Sequence, residues 1–235
     1  MNSIGTFKQQ LKRFSTFHRS RKPMVIPALK YNWLSSFYDF IMQKLMKENK
    51  FKQQLIDQSR IEHGYRVLDL GCGTATLTMM IKTLHPEAEV VGLDGDAKIL
   101  KIARKKIQQS ELDIELKQGL AFEMDFEDRS FDRVLSSLLF HHLTPRRKRK
   151  ALKEVYRVLK PGAELHIADW GKPQNALMRS AFFLVQLLDG FATTTENVQG
   201  KLPFLLKQVG FQNVAEKKKI NTVFGSLSFY CGLRI

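Results

Sequence analysis

Two glycines one residue apart follow an apolar run in the stretch VLDLGCGTA, residues 67–75. Gly71 and Gly73 can adopt the backbone conformations that bring N–H groups close to a ligand. A dinucleotide is one such ligand, but its fingerprint requires a small residue three positions after the second glycine, where this chain has Thr76. Asp69, inside the run, is also unfavourable beside a pyrophosphate. A carboxylate at this place is suited to a ligand that carries an ammonium group.

A second carboxylate, Asp94, ends the next apolar run in the stretch VVGLDGD. An acidic residue at the end of a second strand is placed to accept hydrogen bonds from ribose hydroxyls. Asp69 and Asp94 together indicate a ligand that has a ribose and a zwitterionic amino-acid tail but no phosphate. S-adenosylmethionine has this structure, and the sequence therefore predicts it as the cofactor.

A pair of histidines, His141 and His142, stands in the stretch LLFHHLT. Histidine takes up a proton near neutral pH, so either residue could be the general base for an acceptor that must lose a proton. The alternative is that the pair caps or packs its loop and takes no part in chemistry. No metal site is predicted, because Cys72 and Cys231 are the only cysteines and lie far apart in sequence.

The elements that must position these residues alternate along the chain. Strand-like runs occur at 66–70, 89–93, 114–117, 131–136, 163–168, 214–223 and 227–233, and helical patterns at 34–60, 75–84, 96–109 and 145–160. Strands joined by helical crossovers form a parallel sheet that is covered on both faces. The last two strands are so close in sequence that they must pair antiparallel. The predicted fold is a doubly wound α/β domain with seven strands, mostly parallel, and an antiparallel C-terminal strand.

Several motifs in this order resemble those of the class I S-adenosylmethionine-dependent methyltransferases: VLDLGCGTA, VVGLDGDAKIL, GLAFEMDFEDRSFDRVLSSLLFHHL and VLKPGAELHIADW. The resemblance runs from about Tyr31 to the C-terminus, and within the family it is greatest to the ubiquinone and menaquinone biosynthesis methyltransferases, the methyltransferase type 11 group. It implies a Rossmann-like methyltransferase domain at residues 31–235. It also implies a set of cofactor contacts: Asp69, Gly71, Gly73 and Thr74 at the methionine end, Asp94 at the ribose, Leu120 and Ala121 at the adenine, Ser137 near the sulfonium, and Tyr38 over the cofactor.

The first thirty residues contain many lysines and arginines and no acidic residue, while Ile4, Phe7, Leu11 and Phe14 recur at helical spacing. Residues 1–30 are therefore predicted to be a basic amphipathic extension. This extension could bind an anionic membrane surface through residues 1–22, pack as an arm on its own domain, or serve as an organellar targeting peptide.

The whole chain has 235 residues, with 38 basic and 23 acidic side chains and a net charge of +15. This length suits one domain, and the excess of positive charge should attract anionic partners. The low cysteine content is typical of a reducing compartment, and no stretch is long enough to span a bilayer. We expect a cytoplasmic protein, with a membrane-peripheral location as the alternative.

The preferred hypothesis is an enzyme that methylates a small, apolar or lipid-like acceptor of the quinone or phospholipid class. An RNA or DNA methyltransferase and a non-catalytic, cofactor-binding interaction protein are the alternatives. Nucleic acid is the weaker expectation, because the basic run RRKRK at 146–150 has no interleaved aromatic residues and is interpreted as a solvated helix face. The apolar run at 181–188 is interpreted as core, with the wall of an acceptor pocket as the alternative.

Overall fold

The computed structural model describes residues 48–235. Its seven strands are β1 (Arg66–Leu70), β2 (Glu89–Asp94), β3 (Glu115–Gln118), β4 (Phe131–Ser137), β5 (Leu159–Trp170), β6 (Gln212–Thr222) and β7 (Gly225–Leu233). Its helices are α1 (Glu48–Ser59), α2 (Thr76–Leu84), α3 (Ala97–Ser110), α4 (Pro145–Val158), α5 (Ala176–Asp189), α6 (Phe191–Val198) and α7 (Leu202–Val209). The predicted extension at 1–30 and Tyr38 lie outside the described residues.

The strands form one sheet in the order β3-β2-β1-β4-β5-β7-β6. Neighbouring strands from β3 to β5 are parallel, whereas β7 is antiparallel to both β5 and β6. The prediction of a doubly wound, mostly parallel sheet with an antiparallel C-terminal strand is confirmed.

Both faces of the sheet are covered, because its central strands are apolar on both sides. Val67 and Leu68 are consecutive residues of β1, fully buried, and belong to different core clusters. Successive side chains of a strand point to opposite faces, so one short apolar run supplies both halves of the core. The Leu68 side is covered by α4 and α7, and the Val67 side by α1 and α5.

Helix α4 ends two residues earlier than the sequence predicts. It stops at Val158, and β5 begins at Leu159, which pairs with Phe131 of β4. Pro161 cannot continue a helix and disfavours helical geometry at the residue before it, so the chain is already extended there. The strand that carries Trp170 at its far end is therefore longer than the predicted run at 163–168.

The C-terminal hairpin turns through only two residues, 223 and 224, between β6 and β7. The backbone N–H of Phe224 donates to the hydroxyl of Thr222 at 3.1 Å, and Gly225 has φ 140°. Gly225 and Ser226, predicted as part of the turn, belong to β7 instead.

Within residues 48–235, no helix combines the length and the apolar character needed to cross a membrane.

Candidate functional site

The glycine-rich loop after β1 lies where the parallel strands end. Gly71, Gly73 and Ala75 have φ values of 77°, 54° and 62°, so three alternate positions lie in the left-handed region. A Cβ on Gly71 would come within 2.9 Å of the Leu139 side chain, whereas a Cβ on Gly73 would meet no atom within 4 Å. Gly71 is therefore required by close packing, and the backbone at Gly73 is open to a ligand.

Asp94, at the end of β2, fixes this loop. Its Oδ2 accepts a hydrogen bond from the Gly73 backbone N–H at 2.9 Å, and its Oδ1 accepts one from the Asp96 N–H at 2.9 Å. Burial raises the pKa of the Asp94 carboxyl, and these two hydrogen bonds oppose that rise. Each carboxylate oxygen keeps a second acceptor position, so the group can hold ribose hydroxyls while still holding the loop.

Asp69 is a buried carboxylate with one unpaired oxygen. Its Oδ2 accepts a hydrogen bond from the Thr78 hydroxyl at 2.6 Å, but its Oδ1 has no hydrogen-bond partner among residues 48–235. Burial raises the pKa of this group from 3.8 to about 6. An ammonium group nearby would offset this cost, which is the chemistry of the amino-acid tail of S-adenosylmethionine. The residues present therefore fit that cofactor.

The other predicted cofactor contacts surround the same edge of the sheet. The Thr74 hydroxyl accepts a hydrogen bond from Lys106 Nζ at 3.0 Å. Leu120 packs over Gly95, where a Cβ would lie 3.2 Å from its Cδ2. Ser137 ends β4, and its buried hydroxyl has no hydrogen-bond partner in the described part of the chain. Ala121 follows Leu120 and is half-buried.

The two histidines form a single 3-10 turn, Phe140–His142, directly after the contact between Leu139 and Gly71. His141 Nδ1 lies 2.8 Å from Asp169 Oδ1, and His141 Nε2 lies 3.6 Å from Asp189 Oδ2. The His142 ring lies against that of His141, with 3.9 Å between centroids and an angle of 41° between the ring planes. His141 is thus held between two carboxylates, with His142 beside it.

The surroundings give the two imidazoles opposite pKa shifts. Burial alone would lower the pKa of His141, but the Asp169 and Asp189 carboxylates outweigh it, and the pKa is raised. Burial and the adjacent His141 hold the pKa of His142 well below its usual value. His142 is therefore neutral at neutral pH, and its side chain is 33% exposed, against 4% for His141. Of the two predicted bases, only His142 combines a free proton acceptor with access to a substrate.

The ligand atoms of His141, His142 and Asp189 all lie within 4.8 Å of one another, a spacing at which a metal ion could be shared. The Asp169 and Asp189 carboxylates also raise the pKa of His141, which favours the protonated ring between them.

Asp169 is the centre of a buried polar network that the sequence does not predict. Its carboxylate accepts backbone hydrogen bonds from Phe140 at 2.7 Å and Trp170 at 2.7 Å, in addition to the His141 ring. It also accepts one from Asn197 Nδ2 at 3.2 Å, which ties α6 to the end of β5. Asp169 therefore fixes the backbone of the histidine turn as well as the ring of His141.

Lys148 extends this network and corrects, at this one position, the interpretation of the run at 146–150 as a solvated face, which holds for the exposed Arg146, Arg149 and Lys150. The Lys148 side chain is fully buried, and its Nζ donates to Asn197 Oδ1 at 2.6 Å and to the Thr193 carbonyl at 2.7 Å. Burial lowers its pKa to about 8. A signal was present in the sequence, since Lys148 stands one helical turn before Leu152 and two before Val155, and so shares their buried stripe.

The segment between β5 and β6 is only partly core. Phe182 and Val185 of α5 are buried beneath the sheet, and the buried Trp170 packs on Phe182 with 5.3 Å between ring centroids. Phe183 and Leu187 of the same helix are exposed. The interpretation of 181–188 as core therefore holds for one side of the helix and is wrong for the other.

Comparison with known proteins agrees with this geometry. Residues 67–162 match the model of a family described as "Methyltransferase domain". The demethylmenaquinone methyltransferase of Lactobacillus johnsonii is 31% identical over 189 residues, which cover 71% of this chain and 76% of the relative. That of Listeria welshimeri is 36% identical over 126 residues, 53% of this chain and 52% of the relative. The chain thus spans about half the length of the Listeria relatives that it matches.

Solved structures share the fold at low sequence identity. A SAM-dependent methyltransferase from Aquifex aeolicus superimposes with a TM-score of 0.63 at 18% identity, covering 86% of this chain and 97% of the other. A SAM-dependent methyltransferase from Methanosarcina mazei gives 0.60 at 22% identity, with 77% and 98% covered. The glycine loop, the two carboxylates and these matches lead to one conclusion: the chain belongs to the class I S-adenosylmethionine-dependent methyltransferases, in the menaquinone-type group.

Proposed function

We propose that this protein transfers a methyl group from S-adenosylmethionine to a small, lipophilic acceptor whose ring resembles a quinol. The observation that carries the proposal is the packing of Gly71 against Leu139, which brings the glycine loop and the histidine turn together. A cofactor held by the loop and an acceptor held by the turn would then be neighbours. Methyl transfer mainly requires that the acceptor be held in line with the bond that breaks.

The cofactor contacts are part of this proposal. Asp69, Gly71, Gly73 and Thr74 would hold the methionine end, and Asp94 the ribose. Leu120 and Ala121 would border the adenine, Ser137 would lie near the sulfonium, and Tyr38 would cover the cofactor. Support comes from the unpaired Asp69 oxygen, the open backbone at Gly73, and the position of Asp94 at the end of β2.

His142 is the general base in this proposal. When bound, S-adenosylmethionine supplies an electrophilic methyl group. His142 accepts the proton of an acceptor hydroxyl, which raises the electron density of the ring that receives the methyl group. His141 is a positioning residue, because Asp169 fixes its ring and that ring is in contact with the ring of His142. The protonated His141 also keeps the pKa of His142 low, so His142 is ready to take a proton at neutral pH.

The acceptor class is supported by the relatives reported above, which are demethylmenaquinone methyltransferases. A quinol with an isoprenoid chain is largely insoluble in water, and the basic residues 1–22 would bring the enzyme to an anionic membrane surface where such a substrate resides. We further propose a cytoplasmic location, which agrees with two cysteines that are both free.

The test is a methyl-transfer assay with radiolabelled S-adenosylmethionine and three acceptors: a demethylated naphthoquinol with a short isoprenoid chain, phosphatidylethanolamine, and total RNA. We expect label in the quinol, little in the other two, and at least a roughly hundredfold loss of kcat in His142→Ala. His63→Ala is the matched control, since this histidine side chain is 83% exposed and remote from the site. Label in RNA or phospholipid but not in the quinol would overturn the proposed acceptor. Full activity in His142→Ala would overturn the proposed base.

A further inference from the structure

Helix α5 and the start of α6 carry an exposed apolar face, which we call the α5 face. It consists of Leu177 (72% exposed), Phe183 (47%), Leu187 (58%), Leu188 (37%) and Phe191 (45%). The other side of α5 is buried in the core through Phe182 and Val185. A helix on a water-exposed surface normally has a polar outer side. An outer side that is apolar, as in α5, indicates a surface that binds a further partner.

The exposed charges of the segment that carries the α5 face have one sign. Between residues 171 and 200 the acidic residues are Asp189 and Glu196, whose side chains are only 3% and 11% exposed. The basic residues of the same segment, Lys172 and Arg179, are both exposed. Exposed leucines and phenylalanines beside a lysine and an arginine, with no exposed carboxylate in the segment, are complementary to an anionic lipid surface.

The α5 face also borders the histidine pair. Leu187 and Leu188 directly precede Asp189, whose Oδ2 lies 3.6 Å from His141 Nε2. Phe191 follows within two residues and contacts Phe183 with 5.8 Å between ring centroids. An acceptor that left a bilayer under this face would therefore reach the site across apolar side chains.

We propose that the α5 face rests on an anionic phospholipid bilayer, with α5 in the plane of the interface, and that the lipophilic acceptor enters the site from that bilayer. The occupant is a lipid surface rather than a protein, because the face combines exposed apolar side chains with exposed basic side chains of the same segment, Lys172 and Arg179. This inference rests on the proposed function for the identity of the acceptor, but the binding surface itself is tested without catalysis.

The experiment is co-sedimentation of the full chain with vesicles of phosphatidylglycerol and phosphatidylcholine, compared with vesicles of phosphatidylcholine alone. The variants are Leu187→Glu and Phe183→Glu. Ile102→Glu is the matched control, because Ile102 is 51% exposed on α3 and receives the same change of side chain and charge. We expect the partition coefficient on anionic vesicles to fall about tenfold in each α5 variant, since insertion of one apolar side chain is lost and a negative charge is added. The control should stay within about twofold of the wild type.

The full chain retains its basic N-terminal residues, so residual vesicle binding is expected in every variant. The comparison with Ile102→Glu therefore tests whether the α5 face itself contributes to binding. Equal binding by the α5 variants and the control would overturn the inference. Methyl transfer to a short-chain, water-soluble naphthoquinol provides the separate readout. Normal transfer to that acceptor by Leu187→Glu, together with loss of transfer to a vesicle-embedded acceptor, would support the inference. Absence of transfer in the wild type would instead refute the proposed function. The co-sedimentation result would then still test whether the α5 face binds anionic vesicles.

Discussion

Replacing Asp69 with Asn should stabilise the protein and weaken its cofactor binding. In the folded state burial raises the pKa of Asp69 from 3.8 to about 6. A shift of that size corresponds to a cost of roughly 3 kcal/mol at pH 7, at about 1.4 kcal/mol for each pKa unit. An asparagine keeps the oxygen that accepts from Thr78, but its NH2 group takes the place of the unpaired oxygen. The unpaired buried donor of the asparagine costs about 1–3 kcal/mol in turn. The expected net gain in the free energy of unfolding is therefore at most about 2 kcal/mol.

The assays are urea denaturation and calorimetric titration with S-adenosylmethionine. The raised pKa means that the cost of Asp69 is present above pH 6 and disappears as the pH falls towards the unfolded value of 3.8. The stability advantage of Asp69→Asn should therefore shrink as the pH is lowered from 7, while its cofactor affinity at pH 7 falls at least roughly tenfold. Asp125→Asn, the same change at an exposed position, should alter neither quantity. A destabilised Asp69→Asn variant, or one that binds the cofactor normally, would refute the reasoning.

Two further substitutions and one pH profile test the rest of the site. Asp94→Ala should weaken S-adenosylmethionine binding at least roughly tenfold by calorimetry, because it removes the proposed ribose acceptor and releases the Gly73 loop; unchanged affinity would contradict the assignment. For wild-type enzyme the rate should be constant between pH 7 and 8, because the pKa of His142 lies well below its usual value, and a rate that still rises with pH there would exclude His142 as the base. Asp169→Asn should lower the free energy of unfolding by roughly 3–5 kcal/mol, because several buried donors then face a neutral amide, and a melting temperature equal to that of the wild type would show that the network contributes little.

The sheet and the cofactor edge could be predicted from the sequence because their signals are local. A strand buried on both faces, such as β1, appears as a continuous apolar run, and the loop after it is marked by Gly71 and Gly73. The positions of Asp69 and Asp94 follow from these runs, since parallel strands bring their carboxyl ends to one edge. The early start of β5 was not predictable in this way, because it depends on the pairing of Leu159 with Phe131, which is a tertiary contact.

The network around Asp169 could not be predicted for a different reason. Its members, Lys148, Asp169 and Asn197, come from three separate elements and have no common motif. A lysine within a basic run is normally a surface residue, and only the partners that meet it in the folded protein make its burial tolerable. The same holds for the two histidines, since the pKa of His141 is raised by Asp169 and Asp189 and the pKa of His142 is lowered by burial and by His141.

The bond between Lys148 and Asn197 limits how far the segment between β5 and β6 can be exchanged. Segments of this kind are natural units for grafting when an enzyme is to be given a new acceptor. Here a graft that brought an apolar residue to position 197 would remove a partner of the buried ammonium group and a support of Asp169 in one step. Residues 148 and 197 must therefore be exchanged together. A chimera that carries both Lys148 and Asn197 should fold and hold His141 in position. A chimera that carries only one of them should not.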